Sequence, residues 1–244
     1  MSAMLLAQAP IPPSRRASPR LAALAASCAL ALLPLPTPGA ATTQEDMLSQ
    51  WISAQANTRA WTADAVQTRV FKTLAQPLVS TGKVWVAMPD RFRWELGQPP
   101  QTIALRQPEQ LSIVYPRLKR IEKYPLKSGA AGPWQDALSL IEASFPKSRA
   151  DVDARFRVQS VRFTNSVALL ELAPRSASAR KFVSGIEIGL RTNDFVVVST
   201  TMRFSDGSSM RNDFSNIRIN ESLEATLFTL DEAAGYAVTE PAGR

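Results

Sequence analysis

The chain has 244 residues, no histidine, a single cysteine (Cys28) and a formal net charge of +7. Without histidine, Ser-His-Asp and Cys-His catalysis and the usual zinc ligand sets are excluded, and the acids are too scattered for a catalytic carboxylate pair, so the composition points away from an enzyme. Arg15, Arg16 and Arg20 supply three of the positives, leaving about +4 for the rest, a modest charge for a nucleic-acid binder.

Those arginines precede Leu21–Leu35, "LAALAASCALALLPL". Basic residues, an apolar run of about fifteen residues, then Pro and small residues predict a secretory signal peptide. The run is shorter than the roughly twenty residues of a membrane span. Residues 1–41 are read as this leader, cleaved after Ala41 or alternatively after Ala40, with Met4 as an alternative start. Cys28 lies in "AASC", which resembles a lipoprotein-processing site. Ala25 stands where a larger aliphatic residue is usual, and the apolar run continues past the cysteine as "ALALL", so Cys28 reads as part of the leader's hydrophobic core. The exported chain, 42–244, then has no disulfide. It must be held by an apolar core, and its length suits one domain.

Met47, Leu48, Trp51 and Ile52 recur at helical spacing over 44–58, with Thr43 as N-cap; Gln55 narrows the stripe. The period then changes to two. "AVQTRVF", "GKVWVAM", "RFRWEL", "QTIALR" and "LSIVYP" predict short strands separated by Gly, Pro and Asp. A second helix is predicted over 133–145, with Trp134, Ala137, Leu138, Ile141 and Phe145 on its stripe and Pro133 in its first turn. Beyond it, "RFRVQSVRF", "VALLELAP", "FVSGIEIGL", "FVVVSTTMRF" and "SMRNDFSNIRI" predict further strands, with "TND" and "SDGS" as hairpin connections. Many short strands with few helices predict an α+β fold, an antiparallel sheet in meander order with helices burying their stripes on one face.

Phe92, Trp94 and Leu96 share one face of a strand, with Arg93 and Glu95 on the other. Ile103 with Leu105, and Leu111 with Ile113 and Tyr115, extend such a face across neighbouring strands. Each residue alone is more often plain core than ligand contact. A basic run, "RLKRIEKYPLK", places Arg117, Lys119, Arg120, Lys123 and Lys127 against Glu122. With 115–124 partly strand, Arg117, Lys119 and Lys123 share a face with Ile121 between them. That face is either a patch for anionic headgroups or an acidic partner, or a solvated edge that discourages strand pairing.

"STGKVWVAMPDRFRWELGQPPQTIAL", then "IVYPRLKRIEKY" and the tail "FSNIRINESLEATLFTLDEAAGYAV", resemble in order and spacing the LolA-like periplasmic lipoprotein carriers, over nearly all of the chain after the leader. The resemblance implies a strongly curved antiparallel sheet close to a half-barrel, with helices over its concave apolar face. It implies a cavity for the acyl chains of a lipoprotein, received from an inner-membrane ABC exporter and passed to an outer-membrane acceptor. A monomer without cofactor is expected, in the periplasm. Met88, Phe92, Trp94, Leu96, Ile103, Leu105, Leu111, Ile113 and Tyr115 are then expected to line the concave wall, with Trp51, Trp134, Leu138 and Ile141 supplied by the helices. The family pattern has a basic residue where Met88 stands; "RQPEQ" replaces a Gly-bearing turn, and "DEAAG" replaces Pro-Pro before Gly235. These departures leave open a specialised lipid or glycolipid carrier, or a lipid-sensing module on the same fold.

Overall fold

The computed structural model describes residues 43–126, 138, 143–230 and 235–240, all within the compact unit 41–244. Helix α1, Gln44–Ala56, opens on a reciprocal cap: the Thr43 side chain accepts from the Asp46 N–H, and the Asp46 side chain accepts from the Thr43 N–H. Two otherwise unpaired donors are satisfied this way. Met47, Leu48 and Trp51 are fully buried on its inner stripe. Gln55 belongs to that stripe too, because its Nε2 donates to the Phe195 carbonyl at 2.9 Å.

Six strands follow: β1 Ala60–Val70, β2 Leu78–Ala87, β3 Arg91–Leu96, β4 Thr102–Gln107, β5 Gln110–Tyr115 and β6 Arg120–Pro125. After a short helix α2, Arg149–Arg155, come β7 Phe156–Thr164, β8 Val167–Pro174, helix α3 Ala177–Arg180, β9 Val183–Arg191, β10 Val197–Phe204, β11 Ser209–Ile219 and β12 Ala237–Thr239. Among the described residues these form one curved, unclosed sheet in the order β12-β6-β5-β4-β3-β2-β1-β11-β10-β9-β8-β7. Two meanders, β1–β6 and β7–β11, are thus joined where β1 pairs with β11. All pairings are antiparallel except that of β12 with β6, which is parallel. The predicted strands are present. β1 begins earlier than "AVQTRVF", and β12 has no strand-like run of its own to announce it.

At the seam a row of polar side chains fixes the register. Thr200, Asn212 and Gln67 are cross-strand partners; Gln67 Nε2 donates to Asn212 Oδ1 at 3.0 Å, and Asn212 Nδ2 donates to Thr200 Oγ1 at 3.1 Å. Further along, the register of β1 and β11 shifts between Thr62 and Asp64. Asn216 takes up the irregularity with a φ of 50° and donates from Nδ2 to Asp64 Oδ2 at 2.7 Å. Such a bulge sharpens local twist and bends the sheet.

The concave side carries two cores. Over the second meander, α1 and Val152 of α2 pack on Leu170, Leu172, Ile186, Ile188, Leu190 and Met202. Over the first meander, Trp61, Val84, Val86, Phe92, Trp94, Leu111 and Ile113 form the other. β6 lies near one edge and β7 at the opposite one, so the chain between them must cross the sheet. The described part of that crossing shows where: Leu138, Ala143 and Ser144 are helical, Leu138 packs in the first-meander core, Ala143 in the second, and Phe145 against both. Trp134 and Ile141, and Lys127 of the basic run, lie outside the described residues.

The outer face of the first meander is also covered. Leu223, Leu227, Phe228 and Leu230 pack on Trp85, Ala87 and Leu105. Arg93 Nη1 donates to the Leu227 carbonyl at 3.3 Å and Gln107 Nε2 to that of Phe228 at 3.0 Å.

Candidate functional site

Strand register decides which side chains face the concave side. Val84 pairs with Trp94 and Val86 with Phe92; Trp94 pairs with Ala104 and Phe92 with Arg106; Ala104 pairs with Ile113 and Arg106 with Leu111. A continuous wall results, with Tyr115 and Leu96 packed at its margins. Trp61 and Phe214 close it toward the seam, edge to face with ring centroids 4.9 Å apart. Phe145 of the crossing segment meets Trp61 at 5.7 Å, also edge to face, and Trp94 lies 6.2 Å from Phe214. Such aromatic pairs contribute about 0.5–1.5 kcal/mol each beyond the area they bury.

Between this wall and the crossing segment is a small apolar pocket with about 20 Å³ of free space, lined by Trp61, Val84, Val86, Trp94, Phe145 and Phe214 among others. Next to it is a wider cleft of about 210 Å³, with Val86, Met88, Phe92 and Phe145 on its apolar side and Asp90, Arg106, Lys147, Asp151 and Arg155 at its rim. Val86 and Phe145 line both, so the cleft adjoins the pocket and serves as its entrance.

Met88 lines the entrance and brings no charge. Arg106, Lys147 and Arg155 supply cations around it, with Arg155 Nη2 2.8 Å from Asp151 Oδ2. At the far margin of the wall, Arg120, Glu122 and Tyr124 face inward as partners of Tyr115, Ile113 and Leu111. Glu122 accepts from the Tyr124 hydroxyl at 2.8 Å and lies 3.1 Å from Arg120 Nη2, while the Arg120 guanidinium sits 4.6 Å from the Tyr115 ring centre. Burial and the bond to Glu122 push the Tyr124 hydroxyl up to about 12.

Phe92, Trp94, Leu96, Leu111, Ile113, Tyr115 and Leu138 thus come together with Met88 on one wall. Ile103 and Leu105 do not. Their register partners are Glu95 and Arg93, so both point to the outer face, where Leu105 packs against Phe228. Trp51 is likewise displaced from the cavity: α1 buries it completely in the core of the second meander. The basic run is divided as well. Residues 116–118 form a 3-10 turn and Lys119 is left-handed at φ 45°, which breaks the alternation. Arg117 and Lys119 are exposed in that turn, Arg120 faces the wall, and Lys123 is on the opposite face beside Ser112. Sequence reasoning missed Trp61 and Phe214. Trp61 alternates with Ala63 and Ala65 in "AWTADA", a signal too small in volume to extend the strand toward Ala60.

An apolar wall under a helical cover, with charge at its margins, suits a protein that shelters a greasy ligand. Residues 56–231 match the family described as outer membrane lipoprotein carrier protein LolA, and the chain belongs to that family. It is 23% identical over 215 residues, covering 88% of this chain and 94% of the other, to an outer-membrane lipoprotein carrier protein of Dechloromonas aromatica. It is 26% identical over 201 residues, 82% of this chain and 87% of the other, to one of Coxiella burnetii. A crystal structure of a LolA-superfamily protein from Nitrosomonas europaea aligns with 78% of this chain and 99% of its own at 11% identity and a TM-score of 0.41.

Proposed function

We propose that this protein is a periplasmic carrier that takes the acyl chains of a lipoprotein, or of a lipid with an anionic or glycosylated head, into the space between the concave wall and the crossing segment. The observation that supports it is the aromatic pocket of Trp61, Trp94, Phe145 and Phe214 opening into a cleft with a charged rim. Acyl chains left in water cost about 0.8 kcal/mol per methylene, so an apolar wall suffices for binding and no bond chemistry is needed. The interior is already filled by Phe145, so loading means displacing that ring and the segment that carries it. The head of the cargo then stays at the rim, near Arg106 and Lys147.

In this reading residues 1–41 are a cleaved leader and 42–244 one carrier domain, acting as a monomer. Cargo is received from an inner-membrane ABC exporter and delivered to an outer-membrane acceptor. The supporting experiment isolates the exported protein, identifies co-purifying lipids by mass spectrometry and measures uptake of an acylated peptide and of a glycolipid. Bound acyl species and saturable uptake are expected. Protein that is repeatedly empty and takes up neither probe sinks the carrier reading.

A further inference from the structure

At one end of the sheet, three connections from both meanders make a continuous tip. The β1–β2 connection, 71–77, places the Lys72 side chain over Gly207 of the β10–β11 turn, so closely that a Cβ there would stand 2.2 Å from Lys72 Cε. That turn is bonded in its turn to the β8–β9 connection: the Ser205 N–H donates to the Phe182 carbonyl at 2.9 Å, and Ser205 Oγ donates to the Arg180 carbonyl at 3.0 Å.

The tip is apolar and exposed. Leu74 is 47% exposed, Leu78 53%, Val79 62% and Phe182 63%. Several large apolar side chains exposed at one end of a sheet suit an interaction site. The charges around them are mostly positive. Arg69, Lys72, Arg180 and Lys181 are exposed here, Arg69 lying 5.1 Å from the Phe71 ring centre. Asp206 is the only acid within these three connections, and hydrogen bonds from Ser208 hold its carboxyl below the usual range.

We propose that this tip docks on an anionic membrane surface. Leu74 and Phe182 lie in these connections, and Leu78 and Val79 open β2 beside them. Leucine and phenylalanine at a tip can enter the boundary between headgroups and acyl chains, while flanking lysines and arginines meet lipid phosphates. Each signal alone binds a bilayer weakly; together they hold the protein long enough for transfer of cargo. The inference rests on the carrier reading for its purpose and not for its geometry.

The test mixes the exported protein with vesicles of phosphatidylglycerol and phosphatidylethanolamine, or of phosphatidylcholine alone, and measures co-sedimentation. Binding at least tenfold tighter to the anionic vesicles is expected, weakening with salt. Lys72→Glu with Lys181→Glu, and separately Leu74→Ser with Phe182→Ser, should each weaken it at least tenfold, with uptake of a fluorescent acyl probe from cyclodextrin unchanged. Equal affinity for both vesicle types overturns the proposal, as does full binding by both double variants, or capture of an acidic protein without vesicle binding. Loss of acyl uptake in the unsubstituted protein counts against the carrier reading alone, and the vesicle result still decides the tip.

Discussion

Phe145→Ala separates stability from ligand access. The ring is half-buried, packs against both concave cores and meets Trp61 edge to face at 5.7 Å. A fully buried Phe→Ala costs about 3–5 kcal/mol, and the partial exposure of Phe145 brings the loss to about 2–3 kcal/mol. If loading requires this ring to leave the pocket, the unsubstituted protein pays about 2 kcal/mol of that interaction at each binding event. Removing the ring removes the competition, which corresponds to up to about thirtyfold tighter acyl binding at 1.4 kcal/mol per tenfold. Urea unfolding reads the first quantity, with an unchanged slope showing that the unfolded state is unaltered; titration with a fluorescent fatty acid reads the second. Leu172→Ala is the control, because Leu172 is fully buried under α1 and away from the pocket. It should lose about 2–5 kcal/mol and leave affinity unchanged. Weaker or unaltered acyl binding by Phe145→Ala would refute the view that the crossing segment is a displaceable cover.

Two further outcomes follow from the sheet. A Cβ at Gly82 would lie 1.9 Å from the Glu95 carbonyl oxygen, so Gly82→Ala must push β2 from β3 and should cost more than about 2 kcal/mol in thermal unfolding, although alanine is otherwise the milder strand residue. Glu171 has its carboxyl held below the usual range, first by the hydrogen bond from Arg203. Its folded pKa is depressed, so the pair's stabilisation is present above the unfolded carboxylate range and is lost as pH falls through the folded value. Glu171→Gln should therefore flatten the acid limb of the stability profile, with a small effect because the pair is partly solvated.

Secondary structure was legible because local signals agreed with each other: Thr43 before an apolar stripe, and period-two runs broken by Gly, Pro and Asp. The wall was half legible. Phe92, Trp94, Leu111 and Ile113 follow from alternation, but Ile103, Ala104 and Leu105 are apolar on both faces of β4. Both faces are covered there, inside by the cavity wall and outside by Leu227 and Phe228, and period two then carries no sign. Only the pairing of Ile103 with Glu95 settles the direction. Trp51 lies on the inner stripe of α1 but away from the cavity wall. Its assignment to the second meander depends on the β1–β11 seam, a pairing of residues far apart in sequence that no local pattern encodes. The basic run loses its shared face for a local reason: 115–124 is only partly strand, because Pro116 and the left-handed Lys119 turn the chain.

A photoreactive acyl chain, loaded into the exported protein, cross-linked and mapped by mass spectrometry, tests whether the concave wall is the binding surface. Labels on the peptides carrying Trp61, Trp94, Phe145 and Phe214 are predicted. Labels confined to Trp85, Leu105 and Phe228 on the outer face would contradict it.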